Sequence, residues 1–442
     1  MVDSEVMASI LIRSGFDIIS DPEDADIIMI NTCAFILPAK EESIDEILRM
    51  AEWKKRGKCK RLIVTGCLPQ RYGSSLAREM PEVDLFLGTG EIPNIADFIN
   101  SLENENPADT RAFIGDPSFL MDSAYPRLLG TSGCSAYLKI AEGCSNCCSY
   151  CVIPRVRGKF RSRDVNDILI EAEMLAKAGI KEIIITAQDT TSYGIDLKGK
   201  PDLSILLKEM TSISGIRWIR LLYTYPAYLA GKILQTVSRE EKICSYIDIP
   251  LQHIDDDILK AMNRKGESAL IRKKIAEIRE IIPPVTLRTT FIVGFPGETR
   301  EKFDTLLNFI KETRFENLGV FTYSREEGTA ADVFPSHVPE DEKERRRDIL
   351  MEEQSIISRE INRSRTGEPH EVLIEGRSDL SGFPFVGRIR AQAPDVDGVT
   401  YVKANDAEIG DIITCRIISA DVYDLFAGET ENGEWKICSY GM

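Results

Sequence analysis

Six times between residues 134 and 365, an apolar stretch of strand length gives way to a helical period. The stretches are Ser135–Ala141, Glu182–Ala187, Trp218–Thr224, Tyr246–Leu251, Leu287–Phe295 and Leu318–Tyr323. Helical patterns such as Val165–Ala178 and Glu298–Thr313 lie between them, and a long charged helix, about Glu340–Ser364, ends the series. Alternation of this kind builds a parallel sheet with helices outside it. Eight units close a TIM barrel and six do not. Residues 134–365 are therefore expected to form a partial (βα)6 barrel, open on one side and wide enough for a bulky substrate.

The flanks read differently. Residues 1–105 continue the α/β pattern: a helix over Val2–Ser14 with Asp3 as N-cap, a strand over Ala25–Ile30, a helix over 39–56, a strand over Arg61–Thr65 and a short helix over 74–80. A parallel sheet is expected. Residues 106–133, with Pro107, Pro117, Pro126, Gly115, Gly130 and Gly133, read as a linker. In 366–442, short alternating strands (Val372–Ile374, Val399–Val402, Ile412–Ile418) separated by turn signals such as Asp397-Gly398 predict a small antiparallel β-barrel.

Charge narrows the function. The chain carries 55 basic and 71 acidic residues, a net charge of −16. Phosphate binding relies on Lys and Arg, so direct RNA binding is not expected to dominate. Residues 366–442 hold 14 acidic and 6 basic residues, half of the excess. No secretory pattern opens the chain and no apolar run approaches the ~20 residues of a membrane span. A cytoplasmic location with reduced thiols and no membrane partner is expected.

Reduced thiols give the eleven cysteines their meaning. Cys144, Cys147, Cys148 and Cys151 fall within eight residues, at the end of the first barrel strand. That end is where barrel enzymes place their chemistry. Two spacings compete: Cys144-x3-Cys148-x2-Cys151, and Cys144-x2-Cys147-x3-Cys151. Three thiolates on one loop can hold three irons of a 4Fe–4S cube and leave the fourth open to a non-protein ligand. Structural zinc or a redox CxxC pair is the alternative, but zinc wants a fourth ligand, no second CxxC or histidine pair follows, and the three histidines (His253, His337 and His370) are far apart. The first spacing, with Tyr150 before the last cysteine, is the signature of radical S-adenosylmethionine (SAM) enzymes, so Cys144, Cys148 and Cys151 are the expected cluster ligands. SAM's amino and carboxylate groups would take the open iron, and its cleavage would give a 5′-deoxyadenosyl radical.

Weaker signals remain. Cys33 and Cys67 each follow a strand of the N-terminal sheet, where open α/β sheets place ligand sites. They are either ligands or buried core thiols. The run Arg155-Val156-Arg157-Gly158-Lys159-Phe160-Arg161-Ser162-Arg163 adjoins the cluster loop. It is a candidate for binding an anionic substrate, through Arg155 and Arg157, or SAM's carboxylate, or else a solvated cationic loop. His253, after Ile249-Pro250-Leu251-Gln252, faces the barrel mouth or is a satisfied core histidine, the latter expected.

Longer motifs carry a resemblance. Tyr137–Cys144, then Pro154 and Arg157-Gly158, resemble the methylthiotransferase family of radical SAM enzymes. The segments Asn31–Ile36, Ala187–Gly194, Asp248–His253, Arg288–Glu298, Tyr323–Thr329, Ala393–Gly398 and Tyr423–Leu425 are similar to its RimO branch. The resemblance implies a radical SAM barrel over 134–365, a TRAM domain over 366–442 and, over 1–105, a domain holding a second 4Fe–4S cluster on Cys33 and Cys67. It implies SAM contacts from Tyr150, Gln188, Asp189, Gln252 and Gly294, and a cellular electron donor. The implied reaction methylthiolates the β-carbon of an aspartyl residue of small-subunit ribosomal protein 12. One SAM methylates a sulfur at the second cluster, and another provides the radical. The family pattern has a third N-terminal cysteine, in a strand before a helix beginning like Val2-Asp3-Ser4-Glu5. Here that strand and cysteine are absent, through an internal start or a natural truncation, so two of three second-cluster ligands are expected. Two further readings are a tRNA adenosine methylthiotransferase of the same chemistry and an inactive iron–sulfur protein.

Overall fold

The structure, a computed structural model, describes residues 1–102, 111–129 and 133–429. Its first sheet has four parallel strands in the order β1 (Ile27–Thr32), β2 (Arg61–Gly66), β3 (Leu85–Leu87) and β4 (Arg111–Phe113). The helices Val2–Arg13 and Ile95–Ser101 cover one face, over Ile63, Leu85 and Leu87. Leu37–Ala51 and Cys67–Glu79 cover the other, over Leu62, Val64 and Phe86. Burial on both faces explains why β2 reads as a continuous apolar run.

Several expectations need correction here. β3 and β4 are too short to show a period, and β4 lies inside the segment read as a linker. Residues 106–110 and 130–132 of that segment are outside the described residues. The helix expected at 74–80 begins earlier, at Cys67, and is broken at Gly73, whose φ is +47°. Asp3 is not an N-cap. The helix starts at Val2, and the Asp3 carboxylate accepts from Lys139 Nζ and Arg157 Nη1, both at 2.6 Å.

The second sheet is the open barrel. β5 (Ser135–Lys139) leads into a two-stranded ribbon of β6 (Ala141–Glu142) and β7 (Arg161–Ser162). Then come β8 (Glu182–Thr186), β9 (Trp218–Leu221), β10 (Ile243–Asp248), β11 (Thr286–Val293) and β12 (Asn317–Thr322). All six barrel strands are parallel, in the order β12-β11-β10-β9-β8-β5, so among the described residues β5 and β12 are free edges. β10 stops at Asp248 rather than Leu251 because Pro250 has no N–H for the ladder. The helix expected from Glu298 starts at Arg300 with Thr299 as its cap. Glu298 instead accepts from the Gly294 N–H at 2.8 Å and pairs with Arg346 at 2.8 Å. His253 is fully buried; its Nδ1 accepts from Asp255 N at 3.0 Å, but its Nε2, 3.6 Å from Glu298, has no hydrogen-bond partner, so it is not a satisfied core histidine.

The N-terminal unit bridges the upper part of the gap. At the β5 edge, Lys139 pairs with Asp3. Just past β12, Glu326 takes Arg71 at 2.6 Å and Lys40 at 2.7 Å, with Arg71 and Glu326 only 2% and 1% exposed. The last five strands are β13 (Pro369–Arg377), β14 (Phe385–Ile389), β15 (Thr400–Lys403), β16 (Ile412–Ala420) and β17 (Leu425–Glu429). They close a barrel in the order β13-β14-β15-β17-β16. Only β15–β17 is parallel. This small barrel seats Leu373 and Ala393 against Ile184, Trp218 and Tyr246 of the large one. Among the described residues no helix is long and apolar enough to cross a membrane.

Candidate functional site

The cysteine loop leaves β6 at Gly143, which has φ +80°. A Cβ there would lie 2.3 Å from the Lys159 carbonyl oxygen and 2.6 Å from that of Gly158. Only glycine fits, and Cys144 N then donates to Gly158 O at 3.1 Å. Gly143→Ala is expected to cost about 2 kcal/mol and lower the melting temperature by several degrees, readable by calorimetry.

Three neighbouring segments hold the loop. Asn146 Nδ2 donates to Asp189 Oδ2 at 2.8 Å. Ser149 donates through its N–H to Met262 O at 3.0 Å and through its hydroxyl to Ala261 O at 2.8 Å. Its carbonyl accepts from Ala331 N at 2.8 Å.

Cys144, Cys148 and Cys151 line one cavity of about 500 Å3 at the C-terminal ends of the barrel strands. Cys147 does not line it; it is exposed, with φ +54°. Burial raises the Cys144 thiol, and it pushes Cys151 up to about 12, helped by the neighbouring Cys148 and Cys144. Bare thiolates are costly in such a place, so a cationic group among them is favoured. Arg264 supplies part of that charge. Its Nη1 lies 4.0 Å from Cys148 Sγ, its Nη2 donates to Pro250 O at 2.5 Å, and its guanidinium stacks 4.2 Å from the Tyr225 ring centroid. Among the described residues no three His, Cys, Asp or Glu side chains are grouped to hold a single metal ion. Three soft donors on one cavity wall, beside a buried cation, fit a multi-iron cube with an open corner.

The same cavity offers two orphaned acceptors. Gln188 Oε1 and Gln252 Oε1 are buried without a hydrogen-bond partner, and both residues line it. Gln188 is fixed by its Nε2, which donates to Glu142 Oε1 at 2.9 Å. Gln252 is held at φ +73° by backbone bonds to Thr290 and Ile292. Strained backbone of this kind persists where the surroundings over-determine it, commonly at ligand sites. Two fixed carbonyl oxygens fit the N–H and O–H donors of SAM.

The remaining expected residues divide. Tyr150 lines the cavity and packs against Met262 and Phe295. Asp189 also lines it, but its oxygens serve Asn146, Thr191 and Ser192, so it holds the loop. Gly294 does not line it. Its backbone lies against Lys343, where a Cβ would meet the side chain at 2.2 Å. Arg155 is exposed beside Gly328. Arg157 is turned toward Asp3 and Cys67 and does not line the cavity.

Cys33 and Cys67 emerge together. Thr32 and Gly66 are register partners, so the next residues leave adjacent strand ends. Cys33 is exposed. Burial raises the Cys67 thiol, with Arg157 pulling it down and Cys33 pushing it up. Phe35, two residues beyond Cys33, lines the main cavity, so this edge faces the same space. Arg264 and Glu142 are the important residues missed in the sequence. For Arg264 the only hint is the turn composition Asn263-Arg264-Lys265-Gly266.

Comparison with known proteins agrees with this geometry. Residues 138–310 match the radical SAM superfamily, 1–88 an uncharacterized protein family, UPF0004, and 366–429 the TRAM domain. The ribosomal protein uS12 methylthiotransferase RimO of Syntrophus aciditrophicus (strain SB) is 57% identical over 430 residues, covering 97% of this chain and 95% of that protein. The protein of the same description from Geobacter sulfurreducens is 50% identical over 425 residues, covering 96% and 95%. Among solved structures, the radical SAM methyltransferase TsrM from Kitasatospora setae, with cobalamin and a 4Fe–4S cluster bound, aligns with a TM-score of 0.57 at 14% identity, covering 75% of this chain and 74% of that one. That likeness concerns the fold alone. Identity of this extent, over nearly the whole of both chains, places this one in a family: it belongs to the RimO methylthiotransferases, a branch of the radical SAM enzymes.

Proposed function

We propose that the chain methylthiolates the β-carbon of an aspartyl residue in small-subunit ribosomal protein 12 (uS12), in the cytoplasm. The observation that carries this reading is the 57% identity, across 97% of the chain, to a relative described by that protein substrate. Abstraction at this carbon is beyond a side-chain base, because the C–H bond is not acidic enough. A 4Fe–4S cluster on Cys144, Cys148 and Cys151, when bound and reduced by a cellular electron donor, supplies the electron that splits SAM.

The protein residues do the rest. Gln188 and Gln252 accept SAM's donors and fix its orientation. Arg264 compensates the negative charge of the ligated thiolates. Tyr150 and Phe35 wall the cavity against water, which protects a radical from side reactions. Cys33 and Cys67 would hold a second cluster at the neighbouring sheet edge as two of its three expected ligands, with Arg157 beside them.

The acidity of 366–442 supports a basic protein substrate over tRNA. The test is to incubate the anaerobically reconstituted chain with SAM and either uS12 or tRNA, and to analyse both by mass spectrometry. A methylthio group on a uS12 aspartate is expected, with about eight irons per chain. Product on tRNA alone overturns the reading. About four irons without product supports the inactive protein instead.

A further inference from the structure

β12 pairs only with β11; among the described residues its other edge has no strand partner. Tyr323 N donates to Val293 O at 2.8 Å, which sets the phase. Alternate residues of a strand address opposite edges. Gly319 and Phe321 therefore bond toward β11, and Leu318, Val320 and Thr322 present their N–H and C=O groups to the gap.

A cavity lies at each end of this edge. Phe321 lines the cluster cavity above, and Phe321 itself is 52% exposed. Asn317 and Gly319 line a lower cavity of about 350 Å3, shared with Asp397 and Tyr423 of the small barrel. From residue 317 to 321 an extended chain advances ~13 Å. A short peptide thus reaches from one cavity to the other.

The lower cavity has a chemical preference. The Asp397 side chain is 1% exposed and its Oδ1 has no hydrogen-bond partner. Arg288 lies 3.6 Å from Asp397 and 3.1 Å from Asp248, so one guanidinium faces two buried carboxylates. The small barrel around it is acidic overall.

We propose that an extended segment of the protein substrate adds to the outer edge of β12 as a further strand, with a lysine or arginine of that segment seated against Asp397 and the reacting residue carried past Phe321 into the cluster cavity. This rests on the reading of the chain as an enzyme acting on uS12. Main-chain hydrogen bonds give affinity without demanding a sequence, and the charged pocket fixes register.

Hydrogen exchange at single-amide resolution tests it, on the reconstituted enzyme with and without uS12. The amides of Leu318, Val320 and Thr322 are expected to slow about tenfold or more, and those of Gly319 and Phe321, already bonded, to stay unchanged. Methylthiolation of uS12 without this protection overturns the edge proposal and leaves the function standing. Failure to methylthiolate uS12 strikes the function instead. Protection that appears without uS12 and grows with enzyme concentration assigns the edge to a second copy and also overturns the proposal. As a second arm, Val320→Pro removes one outward N–H and spares the β11 ladder. Its KM for uS12 is expected to rise about tenfold with kcat within about twofold. An unchanged KM in a variant that melts like the parent counts against the edge.

Discussion

Cys148→Ala is expected to abolish product formation and remove about four irons per chain, whereas Cys147→Ala keeps both near the parent level. The two thiols are adjacent in sequence, and either spacing could supply three ligands. The fold separates them. Cys148 lines the cavity with Arg264 4.0 Å from its sulfur. Cys147 turns out at φ +54°, its Sγ 3.6 Å from the Ser145 carbonyl and its own carbonyl bound by Asn263 Nδ2 at 2.8 Å. A cube needs three of its corners held, so losing one of three ligands leaves nothing in the loop to replace it except Cys147. Reaching inward from there requires breaking the Asn263 bond and reversing a left-handed residue. Iron content and the brown absorbance of the anaerobic protein give the readout. Equal loss in both variants, or loss only in Cys147→Ala, would sink the assignment.

That pair also shows what a sequence can and cannot carry. The cluster loop was legible because its chemistry is contiguous: four cysteines in eight residues need no fold to be brought together. The barrel strands were legible because their buried residues fall in short apolar stretches, continuous in β8 and β9 and alternating in β5 and β11. Cys33 and Cys67 are 34 positions apart, yet both follow strand ends, and the Thr32–Gly66 pairing bears out that shared edge. Arg264 had no such signal. It reaches Cys148 across 116 residues, and nothing in its local period marks it. Gly294 follows from the resemblance of Arg288–Glu298 and Arg157 from a basic run beside the cluster loop; the chain packs Gly294 on Lys343 and turns Arg157 to Asp3. β3 and β4, three residues each, are held by the neighbouring strand and not by their own pattern.

Between the two barrels the largest effect on stability is expected from Glu182→Ala. Glu182 is fully buried at the start of β8. Its Oε1 accepts from Arg220 Nε at 2.7 Å, and its Oε2 from Arg388 Nη2 at 2.5 Å and Ser135 Oγ at 3.0 Å. Arg220 and Arg388 are themselves 0% and 2% exposed. Removing the carboxylate leaves Arg220 without an anionic partner, held by the Arg390 carbonyl at 2.8 Å and the Tyr246 ring at 4.8 Å. Arg388 keeps Glu375 at 2.6 Å. Breaking a buried network in this way costs about 3–5 kcal/mol, most of it the uncompensated cation. Trp218, buried in the same interface, reports the loss through its fluorescence in a denaturant titration. The pH dependence gives a second check. Burial alone would raise the Glu182 carboxyl, but Arg388 and Arg220 hold it down to about 2, against an ordinary value of 4.5. A group with a depressed folded pKa contributes its full stability above the unfolded value and loses it as pH falls toward the folded one. The gap between parent and variant should therefore be constant from neutral pH down to about 4.5 and shrink between there and about 2. A gap that stays flat through this acid range would overturn the pH linkage, and a variant as stable as the parent would overturn the role given to Glu182.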